Sequence, residues 1–166
     1  IGVMSPGEMG QAVALHLKRK GFYVCTALDK RSARSKALAR EAGLTDLGSI
    51  ARLTGECELI LSIMNPAAAL DFAGEVAQAL SSHGHRPLFV DCNAVSPDTM
   101  RRISEVISAA GGRCVDGGII ATQGMTTVPS RRPPVAPCSQ ASTSTRPGFV
   151  SVPAAAMTRS RNSFSE

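Results

Sequence analysis

From residue 1 to about residue 120 the chain alternates short apolar runs with longer stretches in which apolar positions recur every three or four residues. The runs Ile1 to Met4, Phe22 to Leu28, Glu58 to Met64, Pro87 to Asp91 and Arg113 to Ile119 read as strands, and a weaker one falls near Leu44 to Leu47. Met9, Val13 and Leu17, four residues apart, predict a first helix with that stripe against a sheet. Lys18, Arg19 and Lys20 suit its negative end, and Gly21 closes it. A second helix is predicted from about Ser32 to Ala42, with Ser32 as its cap and Gly43 at its exit. Asn65-Pro66 and Ser96-Pro97 repeat a third signal, a capping side chain followed by a proline whose missing N–H costs nothing in a first turn. They start helices that run to about Ser81 and Ala110. Strand and helix in alternation is the rhythm of an α/β fold with a doubly wound, mostly parallel sheet.

After Ile120 the rhythm stops. Residues 121–166 are rich in Ser, Thr and Pro, and their only acidic residue is Glu166. Such a segment buries little and interrupts its own helices and strands, so it is expected to be a disordered or non-native tail. The expected domains are therefore 1–120 and 121–166. The tail also holds much of the net charge of +5, in Arg131, Arg132, Arg146, Arg159 and Arg161. One reading of the chain is thus a non-enzymatic interaction protein that engages a polyanion or a protein partner through this basic tail. One tyrosine and no tryptophan leave no stacking platform for nucleic acid, so no specific nucleic-acid partner is expected. No apolar run is long enough for a membrane helix and no secretory signal is recognisable, so a cytoplasmic protein with no membrane partner is the default.

Cys25, Cys57, Cys92, Cys114 and Cys138 form no CxxC pair, and the first four sit mostly in apolar runs, where cysteine acts as a small hydrophobe. His16 lies on the polar side of the first helix, and His83 and His85 flank Gly84 in a turn. With no third ligand converging on them, no metal site is expected.

The candidate chemistry lies in Ser5-Pro6-Gly7-Glu8-Met9-Gly10. A turn that holds a dinucleotide pyrophosphate needs a tight bend after the first strand, close approach of backbone to phosphate, and close contact between helix and strand. Gly7 and Gly10 stand at the second and third of these positions and Ser5 at the first, while Pro6 stiffens the bend. The amides that open the next helix supply the anion site. The second strand is read as ending in Asp29, about twenty residues further on, where an acidic residue meets the ribose. Asp29 suits the 2′-hydroxyl of NAD, whereas Lys30, Arg31 and Arg34 suit the 2′-phosphate of NADP. Asp91 and Asp116, near strand ends, suit hydrogen bonding to loop amides or a role near the cofactor.

These residues resemble the N-terminal domain of the 6-phosphogluconate dehydrogenase and 3-hydroxyisobutyrate dehydrogenase superfamily, the β-hydroxyacid dehydrogenases. The opening line IGVMSPGEMGQAVA is similar to that family's IGxIGLGxMGxxMA at Ile1, Gly2, Gly7, Met9, Gly10 and Ala14. The SPG turn, LDKRS, SIMNPAAAL, FVDCNAVSPDTM and VDGGII look like a poorly characterised branch. The resemblance implies a Rossmann-like fold with the pyrophosphate against Ser5, Pro6, Gly7, Glu8, Met9 and Gly10. It further implies Met64, Asn65 and Pro66 beside the cofactor, and NADP slightly before NAD through Arg31. The family's DxSTxxP line becomes Asp91-Cys92-Asn93-Ala94-Val95-Ser96-Pro97, which leaves Asn93 as the residue able to donate to a small hydroxyacid-like substrate. The family's acid/base lysine comes from a separate helical C-terminal domain, through which a homodimer would form. Lys18, Lys20, Lys30 and Lys36 all precede the third inner strand. The chain is therefore expected to be catalytically incomplete by itself.

Overall fold

The computed structural model describes residues 1–120. The tail, its polyanion alternative and Cys138 lie outside the described residues. Six strands form one parallel sheet: β1 (Gly2–Met4), β2 (Cys25–Thr26), β3 (Thr45–Asp46), β4 (Leu59–Ser62), β5 (Leu88–Asp91) and β6 (Arg113–Asp116). Their order across the sheet is β3-β2-β1-β4-β5-β6. The chain works outward from β1 to one edge, then returns to start again on the other side of β1 with β4. The sheet is thus doubly wound and Rossmann-like, with its topological switch between β1 and β4.

Five helices make the crossovers: α1 (Glu8–Arg19), α2 (Ala33–Glu41), α3 (Ile50–Glu56), α4 (Ala69–Leu80, entered through a 3₁₀ turn at Pro66–Ala68) and α5 (Pro97–Ala109). Because successive strand residues point to opposite faces, Val3 and Val24 join Ala14 of α1 and Ile63 on one side. Met4, Ile60 and Phe89 pack on the other side against Leu53 of α3, Phe72 and Val76 of α4, and Ile103 and Ile107 of α5. The Phe72 and Phe89 rings lie 5.9 Å apart between centroids, tilted by 40°.

Two expectations are corrected, the extent of the second strand and the place of Met9, and one helix is added. The run Phe22 to Leu28 keeps strand pairing only at Cys25–Thr26, because the Asp46 side chain interrupts the ladder: its carboxylate accepts from the Leu28 amide at 3.1 Å and from the Gly48 amide at 2.8 Å, before the Asp29 amide reaches the Gly48 carbonyl at 2.9 Å. Asp29 therefore lies in the loop after β2 and not at the strand's last position. The weak run near Leu44 is a real strand, and a helix unforeseen in the sequence, α3, returns it to β4. Met9 is 41% exposed and does not face the sheet. Gly10 and Ala14 are the fully buried residues of α1, with Val13 and Leu17 partly buried.

Candidate functional site

The carboxyl ends of the parallel strands bring the predicted residues together around the switch point. Beyond β1 the chain stays beside β4 for one more residue, with the Ser5 amide donating to the Ile63 carbonyl at 2.8 Å. It then bends sharply, and the Gly7 amide donates back to the Ser5 carbonyl at 2.8 Å. Pro6 is buried inside the bend. A Cβ at Gly10 would overlap the Ser5 carbonyl oxygen and stand 3.2 Å from its carbon. Glycine is required there because α1 crosses the end of β1 at backbone contact. Gly7 differs: a Cβ would meet nothing within 4 Å, so this backbone faces open space.

Gly7 is also the N-cap of α1, and no side chain caps that start. Elsewhere Ser32 accepts from the Ser35 amide, Ser49 from Arg52, Asn65 from Ala67 and Ser96 from Thr99. The first amides of α1, with the positive end of its dipole, face a cleft of about 390 Å³. That cleft is lined by Ser5, Gly7, Glu8, Met9 and Gly10 on one side, Ile63, Met64, Asn65 and Ala68 on the other, and Arg31. Glu8 would place a negative charge in this opening, but its carboxylate pairs with the Arg34 guanidinium on α2. Asn65 caps the 3₁₀ turn, accepting from the Ala67 amide at 3.0 Å, and Pro66 takes the first position of that turn.

A second cleft, of about 580 Å³, opens beyond β2. Asp29, Lys30 and Arg31 line it together with Ser49, Ile50 and residues of α4 that include Glu75 and Gln78. Arg31 lines both clefts, so one residue joins the two openings. Lys30 holds the loop's sharp reversal at a φ of 58°.

The ends of β4 and β5 are held differently. Asp91 and Ser62 are fully buried and sit opposite each other in the register. Asn93 lies between them: its Nδ2 donates to Asp91 Oδ1 at 2.6 Å and to Ser62 Oγ at 2.9 Å, and its Oδ1 accepts from the Met64 amide at 2.6 Å. Burial raises the Asp91 carboxyl above its ordinary range, with a smaller push from Asp116, while the bonds from Ser62 and Asn93 pull it back. Burial likewise lifts the Cys92 thiol to about 11 and Cys114 to about 12, so neither is a nucleophile at neutral pH. Cys57 is raised to about 11 by the same cause. Sequence reasoning missed Ser62, whose only signal was a hydroxyl in an apolar strand, and Asp46.

Lys18 is occupied by the Ala42 and Gly43 carbonyls at the end of α2. His83 and His85 sit at the opposite edge of the sheet, where Thr54 receives both: its Oγ1 is 2.8 Å from His83 Nε2 and its carbonyl 2.8 Å from His85 Nδ1. Among the described residues no three His, Cys, Asp or Glu side chains converge on a metal-sized position. No helix there is long and apolar enough to cross a membrane.

With this geometry in hand, comparison with known proteins is specific. The family model for the NAD binding domain of 6-phosphogluconate dehydrogenase matches residues 1–126. Glyoxylate/succinic semialdehyde reductase 1 of Arabidopsis thaliana is 28% identical over 124 residues, covering 72% of this chain and 41% of that protein. A conserved protein of unknown function, described as structurally similar to 3-hydroxyacid dehydrogenases, superposes with a TM-score of 0.57 at 30% identity, over 69% of this chain and 40% of that one. The 3-hydroxyisobutyrate dehydrogenase of Mycobacterium tuberculosis, with L-serine, shares the fold at a TM-score of 0.62 and 18% identity, over 72% of this chain and 40% of its own. The chain thus spans about two fifths of the length of these relatives.

Proposed function

The chain belongs to the family of the NAD binding domain of 6-phosphogluconate dehydrogenase, and on that premise we propose that it is the dinucleotide-holding part of an oxidoreductase acting on a small hydroxyacid-like substrate, with NADP preferred to NAD. The observation that carries this reading is the start of α1, left without a side-chain cap beside a cleft. The pyrophosphate takes those amides, against Ser5, Pro6, Gly7, Glu8, Met9 and Gly10. Met64, Asn65 and Pro66 flank the nicotinamide side. The adenosine ribose reaches into the cleft beyond β2, where Asp29 accepts from a 2′-hydroxyl or Lys30 and Arg31 meet a 2′-phosphate. Two cations against one carboxylate favour the phosphate. The placement of Arg31 in both openings supports its reaching the cofactor from either side.

Hydride transfer also needs a group that moves the hydroxyl proton. Lys18 is engaged by α2, and Lys20, Lys30 and Lys36 are exposed around α1 and α2. The resemblance to the family implies that the proton-transferring lysine comes from a helical C-terminal domain, which would also pair two copies as a homodimer. This chain alone binds cofactor and turns over little.

Calorimetric titration of the chain with NADP and with NAD tests the reading. Binding of both, NADP more tightly, is expected, and no heat with either overturns it. Arg31→Ala should cost NADP about tenfold more than NAD, the scale of one lost charge-assisted hydrogen bond. Equal losses would reduce Arg31 to a structural residue. Robust reduction of cofactor by the chain alone, with a panel of small hydroxyacids, would refute the external lysine.

A further inference from the structure

Parallel strands β4 and β5 part at the wall of the smaller cleft, and the way they part isolates one side chain. The last rung between them is the Cys92 amide donating to the Ser62 carbonyl at 2.9 Å. In a parallel ladder the next rung falls on the amide of Met64. The Asn93 side chain accepts it, at 2.6 Å. The orientation of that carboxamide is set by chemistry: the Met64 N–H can only donate, so it faces Oδ1, and the Asp91 carboxylate accepts, so it faces Nδ2. The second hydrogen on Nδ2 goes to Ser62 Oγ. Both donors of Asn93 are consumed within the protein, which leaves none for a substrate.

We propose that Asn93 is a positioning residue of the cofactor cleft, a side-chain rung that clips the end of β5 to the segment after β4 and so fixes Met64 and Asn65 against the glycine turn. The assignment rests on the reading of that cleft as the dinucleotide site, and it replaces the substrate contact expected from the family motif. The rung works because its two ends differ. A carbonyl oxygen meets a backbone donor, and an amide meets a buried carboxylate. No other side chain of that length offers both in fixed geometry. The Asp91 carbonyl is also occupied, accepting from the Gly117 amide at 2.7 Å, so the clip is anchored to the residue that follows β6 as well.

Asn93→Asp tests the clip, because it keeps the acceptor for Met64 and replaces the donor by a second carboxyl beside Asp91. The groups facing that pair are Ser62 from β4, Asp116 and Cys114 from β6, and Cys92, the residue after β5. Two adjacent carboxyls cannot both ionise cheaply, so at low pH one shared proton restores the donor and at higher pH the pair repels. In the full chain, N93D should bind NADP at pH 5.5 within a fewfold of the unsubstituted protein and lose at least about tenfold more by pH 8, a change of one unit or more in the coupled titration. The unsubstituted chain should show no such slope. Circular dichroism at both pH values should show N93D folded. Independently of any cofactor, the Met64 amide in ¹⁵N-labelled N93D should shift upfield as pH rises and lose protection relative to the same amide of the unsubstituted chain at the same pH. Asn93→Ser, too short to span both partners, should weaken NADP binding to the same degree at both pH values. If the unsubstituted chain binds no dinucleotide, the cofactor reading falls while the Met64 amide still decides the clip. If N93D leaves both the Met64 amide and the pH profile unchanged, the clip is overturned even though the cofactor binds.

Discussion

The starts of α1 and α5 lie at the same edge of the sheet and face the same demand, a first turn of amides with no partner inside the helix. In α5 the demand is met locally. Ser96 accepts from the Thr99 amide at 3.2 Å, Pro97 removes one donor, and Asp98 adds a favourable charge while pairing with Arg101 at 3.0 Å. In α1 the capping position is Gly7, which has no side chain to offer, and the one acidic residue of its first turn is tied to Arg34. The two helices are otherwise alike in length, 12 and 13 residues. On the proposed reading α5, which caps itself, serves as scaffold, whereas α1 leaves its amides open beside the cleft for the pyrophosphate.

The harshest way to break this contrast is Gly10→Val. A Cβ cannot coexist with the Ser5 carbonyl, so α1 must move off β1. Urea unfolding should show a loss of about 1–3 kcal/mol, the scale of overpacking, and titration should show no dinucleotide binding. Wild-type affinity in G10V would mean that the amides of this turn are not the phosphate site. Exchanging the two solutions sharpens the contrast. Ser96→Ala should lower stability by about 1 kcal/mol and leave cofactor affinity as it was, because α5 starts away from the cleft lining. Gly7→Asp should do the reverse, stabilising the free protein by a few tenths of a kcal/mol as a new cap while weakening the dinucleotide, whose phosphates then compete with a carboxylate. Stability and affinity moving together in G7D would defeat the distinction between scaffold and site.

The smallest effect belongs to the opposite edge of the sheet. His85 is raised above its ordinary 6.5, first by its bond with the Thr54 carbonyl and then by Glu58. A raised histidine stabilises fully below its unfolded value, and that contribution fades as pH climbs through the folded one. Its ring protons should therefore titrate above 6.5, and Glu58→Gln should bring the midpoint down. Cofactor affinity should ignore the change. A change would couple the two edges.

Legibility followed the range of the forces. The strands of the inner sheet could be read because a parallel strand buried on both faces must be apolar throughout, and four helix starts announced themselves through Ser32, Asn65-Pro66, Ser96-Pro97 and the glycine turn. The helix from Ile50 to Glu56 escaped notice because seven residues carry too little periodicity, although Ser49 is a sound cap. Phe22 to Leu28 was overextended because burial looks the same with or without pairing: Val24 to Leu28 are buried, yet only two of them are in the strand.

What the sequence determined alone is local: the alternation of elements, the need for glycine at position 10, and the residues offered at each strand's end. A backbone preference or an apolar period is set by neighbours along the chain. The tertiary structure alone decided which of those residues meet. It placed Arg31 between two clefts, set the Asn93 carboxamide onto Asp91, Ser62 and Met64, and left the start of α1 without a side-chain cap beside the smaller cleft. Hydrogen-bond partners in a parallel sheet come from segments about thirty residues apart, and their identity depends on register and crossover, which no short pattern encodes.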